Sequence, residues 1–193
     1  MYSPFYSYDQ QQNYDKLTIL RHPVDRVWSM FRFRTKYCYD CQPLSQIYQQ
    51  MNTDQSILAD KPDMCALQLQ NHMTRNMLPQ RQGYNISMTD MPAAIQQLQG
   101  FVLGMTHALE ESVAMIHYTF PFTQSCHLRH ANASPQNNRC GPDSTHWDLP
   151  AEPDEETRQL IIQYNALDMA LYEAALVQYN EQKQVYQQLQ RGE

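Results

Sequence analysis

The chain is short of positive charge, of glycine and of long apolar runs, and each shortage removes a class of function. Lys and Arg number 14 against 20 Asp and Glu, for a net charge of -6 over 193 residues. A protein that tracks nucleic acid normally carries the opposite excess, so no nucleic-acid partner is expected, and any anion site must be local, built from a few placed cations. No apolar run approaches the roughly 20 residues that a membrane span needs. The opening residues MYSPFYSYDQQQNYDK have neither a basic n-region nor an apolar h-region, so they do not read as a signal peptide. Glycine occurs only 5 times and first at Gly83, so no glycine-rich phosphate loop stands in the first third of the chain.

What is present fits one α/β domain of residues 1–193 with a core of ordinary size. Residues 1–15 are irregular. The short apolar run Leu17–Leu20 reads as a buried parallel strand, and Pro23 suits the first position of a following helix, where its missing N–H costs nothing. Val24, Val27, Trp28 and Phe31 then fall on one helical face. A second helix is expected through MCALQLQNHMTRNML, with Leu67, Asn71, Thr74 and Leu78 on one stripe, and a short one through MPAAIQQLQ. FVLG, residues 101–104, is another brief strand. Thr106 is a candidate cap for the next helix, whose inner face is Leu109, Val113 and Ile116 and whose acids Glu110 and Glu111 suit the dipole at its start. Residues 121–153 form a long loop. Residues 154–190 form a helical segment with an acidic start at Asp154, Glu155 and Glu156 and a stripe of Leu160, Tyr164, Leu167 and Leu171. Two strands do not complete a doubly wound sheet, so further strands are expected outside these segments.

The chemistry concentrates in LTILRHPVDRVWSMFRFR, residues 17–34. An Arg at the carboxyl end of a parallel strand stands where open α/β sheets bind ligands. The following helix offers the same crevice its N-terminal N–H groups. Arg21 can grip a phosphate bidentately, Ser29 can add a hydroxyl, and Arg26 shares the polar face with Ser29. The bland alternative, an Arg-rich solvated helix paired with Asp25 and other acids, explains the same residues as readily.

R-H-P-V-D-R-V-W-S resembles the 3′-phosphate-binding motif of sulfotransferases, Arg-x-Pro-x-x-Arg-x-x-Ser after a strand. Three further segments agree in order with Golgi carbohydrate sulfotransferases, especially the heparan sulfate 6-O type. CALQLQNHMTRNML resembles their Asn-x-x-x-Arg-x-Leu helix, and GFVLGMTHALEESVAMIHYTF their strand, turn and amphipathic helix. Asn165-Ala166-Leu167-Asp168 with Leu171-Tyr172 resembles their Asn-x-x-Asp-x-x-Leu-Tyr helix. The resemblance runs from about Lys16 to Gln190. It implies a partial P-loop-like sulfotransferase fold, mostly helical with a few short parallel strands, and transfer of a sulfuryl group from 3′-phosphoadenosine 5′-phosphosulfate (PAPS) to a carbohydrate hydroxyl. Arg21 and Ser29 would hold the cofactor's 3′-phosphate, with Arg26 bracing the helix, and Asn71 and Arg75 would line the cleft toward substrate.

The departures from the family are as informative. Its first strand, its Lys-Thr-Gly type phosphosulfate loop and its usual His or Glu base are expected upstream of residue 1, so the 193 residues alone are expected to be inactive. The catalytic residue is unassigned. His22 sits within the phosphate motif, poorly placed to reach an acceptor, while His72, His107 and His117 read as structural or surface groups. The family also implies a Golgi or secretory location and a membrane-anchored full-length form, with Asn85 and Asn132 as candidate glycosylation sites. It favours a Cys126–Cys140 disulfide closing the late loop, worth about 3 kcal/mol by loop entropy. A zinc site of Cys38, Cys41, Cys126 and His130 is a weaker reading, because a lone C-x-x-C without a second tight pair is unspecific. The remaining alternative is a non-catalytic module that binds anionic glycans.

Overall fold

The computed structural model describes residues 16–38, 42–53, 67–78, 86–124 and 149–192. In chain order these form strand β1 (Lys16–Leu20), helices α1 (Pro23–Cys38) and α2 (Leu44–Thr53), a 3-10 turn (Leu67–Leu69) and helix α3 (His72–Met77). A second 3-10 turn (Met88–Asp90), helix α4 (Met91–Leu98) and strand β2 (Phe101–Met105) follow. A third 3-10 turn (Thr106–Ala108) leads into helix α5 (Leu109–Thr119) and a short turn (Pro121–Thr123). Helices α6 (Glu155–Tyr164) and α7 (Ala166–Arg191) complete the order. The architecture is a mostly helical α/β one with two short parallel strands. Both strands and α4 begin and end within a residue or two of where the apolar spacing puts them, and α1 begins at Pro23 as expected but runs on past Phe31 to Cys38.

The chain divides into two compact units. The first comprises residues 1–22, 88–129 and 170–193, the second 23–87 and 130–169. In the first, β1 and β2 pair in parallel, Lys16 opposite Phe101 and Leu20 opposite Met105. Its interior is Val102, Leu103, Met105, Met115, Leu171 and Ala175, each at most 2% exposed. Gly104 is required in β2, because a Cβ there would lie 3.0 Å from Ser112 Cβ and 3.1 Å from Ile19 Cγ1. The far edge of β2 is closed by a side chain: Gln182 accepts from Leu103 N–H at 3.0 Å and donates to Phe101 O at 2.9 Å. A glutamine amide thus makes the two hydrogen bonds that a third strand would make.

The second unit packs around Val24, Val27, Trp28 and Phe31 of α1, with Leu44, Ile47, Tyr48 and Met51 of α2, Leu69 and Ile161. Tyr48 and Tyr164 stack with centroids 4.1 Å apart. Trp28 Nε1 donates to Pro150 O at 3.2 Å, which gives the buried indole its partner.

Four local expectations change. The second helix is not continuous through 64–78: Asn71 adopts φ 47°, ψ 38°, and its left-handed backbone separates a 3-10 turn from the six-residue α3. The 154–190 segment is two helices, broken at Asn165, whose amide is drawn into a buried network. Thr106 does not cap α5. Ala108 is the N-cap and makes no side-chain bond. The inner face of α5 is Ser112, Met115, Ile116 and Thr119, because the Ser112 hydroxyl turns inward to accept from Met105 N–H at 2.8 Å. The acidic start of α6 stands as expected, with Asp154 accepting from Thr157 N–H at 2.8 Å.

Candidate functional site

In the second unit, three separated motifs meet in one buried polar network. Asn71, at the start of α3, presents its side-chain oxygen to Leu167 N–H at 3.1 Å and Asp168 N–H at 3.2 Å, capping α7. Asp168, in the first turn of α7, caps α3 in return. Its carboxylate accepts from Met73 N–H at 3.0 Å, Thr74 N–H at 2.8 Å and the Thr74 hydroxyl at 2.8 Å. Each helix thereby satisfies the orphan N–H groups of the other. Asn165 completes the exchange, accepting from Asn71 N–H at 2.8 Å and donating to Leu69 O and Ile161 O, both at 2.9 Å.

Arg26 joins this network from α1. Its guanidinium donates to Gln68 O at 2.7 Å and meets the Asp168 carboxylate at 3.4 Å, with the two side chains 14% and 0% exposed. These contacts tie α1 to the Leu67–Leu69 turn and to the first turn of α7. Asn71 is equally committed, and it is buried. Arg75 lies half-buried on α3, its Nε donating to Gln70 O at 3.2 Å. His72, also on α3, has its pKa lowered, first by burial and then by the nearby Arg26, partly offset by Asp168. The Asn-x-x-Asp spacing was the available signal for Asp168: it is that of a capping box, a cap residue and its third helical neighbour.

The first unit holds the exposed polar residues. Arg21 is exposed immediately after β1. Thr106 and His107 are exposed immediately after β2, at the same end of the parallel pair. His107 Nδ1 lies 3.1 Å from the hydroxyl of Tyr172, which is 3% exposed on α7. The His22 ring meets the same tyrosine edge-on, with centroids 5.3 Å apart. His22, Arg21, His107 and Tyr172 all belong to this unit. Ser29 is half-buried on α1, in the other.

Glu111 of the first unit is partnered. Glu111 accepts from Lys183 at 2.9 Å and from the Tyr179 hydroxyl at 3.0 Å, and this hydrogen bond raises the Lys183 pKa. Burial raises the pKa of Tyr179. Cys41, Cys126, Cys140, His130, Asn85 and Asn132 lie outside the described residues, as do residues 1–15 and most of the 121–153 loop. Cys38 is the last residue of α1, so the C-x-x-C begins at a helix end. Among the described residues there is no group of three or more His, Cys, Asp or Glu that could hold a metal, and no helix is long and apolar enough to cross a membrane. Comparison with known protein families, curated proteins and solved structures finds no match to the chain.

Proposed function

We propose that this chain belongs to the PAPS-dependent carbohydrate sulfotransferases and binds the 3′-phosphoadenosine end of the cofactor through Arg21. The observation that carries this reading is the convergence of motifs in the second unit. The resemblance rests on short segments spread over nearly 150 residues, and chance matches have no reason to touch. Yet Arg26 of the first motif, Asn71 of the second, and Asn165 and Asp168 of the last are hydrogen-bonded to one another. Motif residues that interlock behave as parts of one inherited design. The parallel strand that ends at Leu20, just before Arg21, supports the same reading, since an Arg at a strand's carboxyl end is suited to an anion.

In this reading Arg26 positions α1 and Arg21 supplies the bidentate cation. The full enzyme would deliver the sulfuryl group to a sugar hydroxyl in the secretory pathway. No residue of this chain is assigned as the base. Calorimetric titration with adenosine 3′,5′-bisphosphate tests the proposal against adenosine 5′-phosphate, which lacks the 3′-phosphate. The bisphosphate is expected to bind at least tenfold more tightly, and Arg21→Ala to remove that preference, about 1.4 kcal/mol or more. Equal affinity for the two nucleotides, or no binding of either, overturns the assignment. Binding of a sulfated oligosaccharide in their place would favour a glycan-binding module.

A further inference from the structure

We infer that His107, tethered by Tyr172, forms with Arg21 and Thr106 a binding site for a tetrahedral oxyanion of the phosphate or sulfate class at the carboxyl ends of β1 and β2. The motif that points to Arg21 makes no use of His107, Thr106 or Tyr172. The inference therefore adds three residues to the anion site, and it rests on the proposed function only in sharing Arg21.

The placement follows from strand register. Leu20 and Met105 are opposite each other in the last rung of a parallel pair, where neighbouring strands run roughly 4.8 Å apart. Arg21 and Thr106 therefore leave the sheet side by side, one residue beyond that rung, and His107 follows at once. All three are exposed. The 3-10 turn over Thr106–Ala108 runs into α5, an 11-residue helix whose positive dipole end lies at this same edge. The other cations of the unit are elsewhere: Lys16 stands over Phe101 at the amino end of the strands, and Lys183 is paired with Glu111.

His107 differs from a surface histidine in being held. The Tyr172 hydroxyl fixes Nδ1 at 3.1 Å, and Tyr172 is itself buried and packed edge-on by His22. A ring anchored through Nδ1 has one remaining polar atom, Nε2, and the exposure of the residue leaves that atom to a ligand. When the phenol donates to Nδ1, the ring proton resides on Nε2 and Nε2–H is a donor. When the imidazole is protonated, Nδ1–H donates to the phenol oxygen and Nε2–H is again a donor. In both of these states the tether presents an N–H beside a guanidinium and a hydroxyl, a set of donors that suits an oxyanion, and a bound anion favours them over the neutral Nδ1–H tautomer, whose Nε2 can only accept. Such preorganisation lowers the ordering cost of binding.

The test uses the whole chain with inorganic phosphate as probe, followed by side-chain ¹H–¹⁵N correlation spectra of the histidines. Phosphate is expected to shift the His107 Nε2 resonance in a saturable way, with smaller or no change at His117. His107→Ala is expected to weaken phosphate binding roughly threefold to tenfold, the scale of one hydrogen bond. Tyr172→Phe keeps the ring that packs on His22 while removing the hydroxyl. It should weaken binding less and alter the His107 tautomer signature in the absence of ligand. A histidine spectrum unmoved by phosphate, or wild-type affinity in His107→Ala, overturns the inference. The two proposals separate cleanly. Phosphate binding through His107 without a preference for adenosine 3′,5′-bisphosphate would leave the anion site standing and remove the sulfotransferase reading. Bisphosphate binding that needs Arg21 but not His107 would do the reverse.

Discussion

The two units use polar residues in opposite ways. In the second, Arg26, Asn71, Thr74, Asn165 and Asp168 face one another in the interior, and their hydrogen bonds run between three helices. In the first, Arg21, Thr106 and His107 stand exposed at the strand ends, and only His107 is tethered from below. A motif residue is therefore not one kind of residue. Arg21 and Arg26 belong to the same nine-residue motif, yet one faces water and the other braces a helix. The first kind is open to a ligand and costs little to remove. The second carries the fold and costs a great deal.

The largest effect expected from this comparison is at Asp168. Asp168→Ala strips Arg26 of its carboxylate and leaves the Met73 and Thr74 N–H groups without their acceptor in a site of zero exposure. Removing one partner of a buried pair typically costs about 3–5 kcal/mol. Urea denaturation should show a loss of that order, whereas Arg21→Ala should stay within about 0.5 kcal/mol of wild type. Similar losses for both variants would break the division. Asn71→Ala comes next. It deletes the acceptor for two N–H groups of α7 and puts a side chain with no local hydrogen bond into a left-handed backbone, for a combined cost of about 2–4 kcal/mol. Asn71→Gly separates the two causes, because glycine keeps the backbone and loses only the cap.

How much of this was legible follows the same division. Apolar periodicity located β1, β2, α1 and α4, because each needs only its own spacing and a punctuating Pro or Gly. Periodicity failed where a single polar residue redirects the backbone for a distant partner. Asn71 reads as one more helical position between Leu67 and Thr74, and its left-handed turn exists because its amide answers N–H groups 96 and 97 residues away. Asn165 splits an otherwise unbroken helical pattern for the same reason. Ser112 displaces Leu109 and Val113 from the inner face of α5 because β2 offers it a backbone partner. Arg21 was visible from its position after a strand. His107 was not, since its significance depends on a tyrosine 65 residues later.

A smaller effect sharpens the comparison within the first unit. Its interior polar contacts include backbone repairs by glutamine, with Gln182 standing where a strand would stand. Gln182→Ala exposes no ligand group but leaves the buried Leu103 N–H without its acceptor, a cost of about 1–3 kcal/mol. Gln182→Glu retains an acceptor for Leu103 N–H and loses the donor to Phe101 O, so it should unfold at a urea concentration nearer to wild type than Gln182→Ala does. If Gln182→Ala is neutral by urea denaturation, the edge of β2 is satisfied in some other way.

The smallest expected effect concerns pH and belongs to the second unit alone. Burial and the Arg26 charge hold the pKa of His72 below its ordinary 6.5, although Asp168 pulls the other way. The unfolded chain, with its ordinary imidazole, therefore binds a proton more readily than the folded one. As pH falls through 6.5 the unfolded state is favoured, and the loss of stability grows until the folded-state imidazole also titrates. Above the unfolded pKa both states carry a neutral ring and His72 contributes nothing to the slope. His72→Gln removes this term, so the gap in urea midpoint between variant and wild type should move in the variant's favour between about pH 8 and about pH 5.5. A gap that is the same at both pH values would mean that Asp168 offsets both burial and the Arg26 charge at His72, and that the network is indifferent to protons.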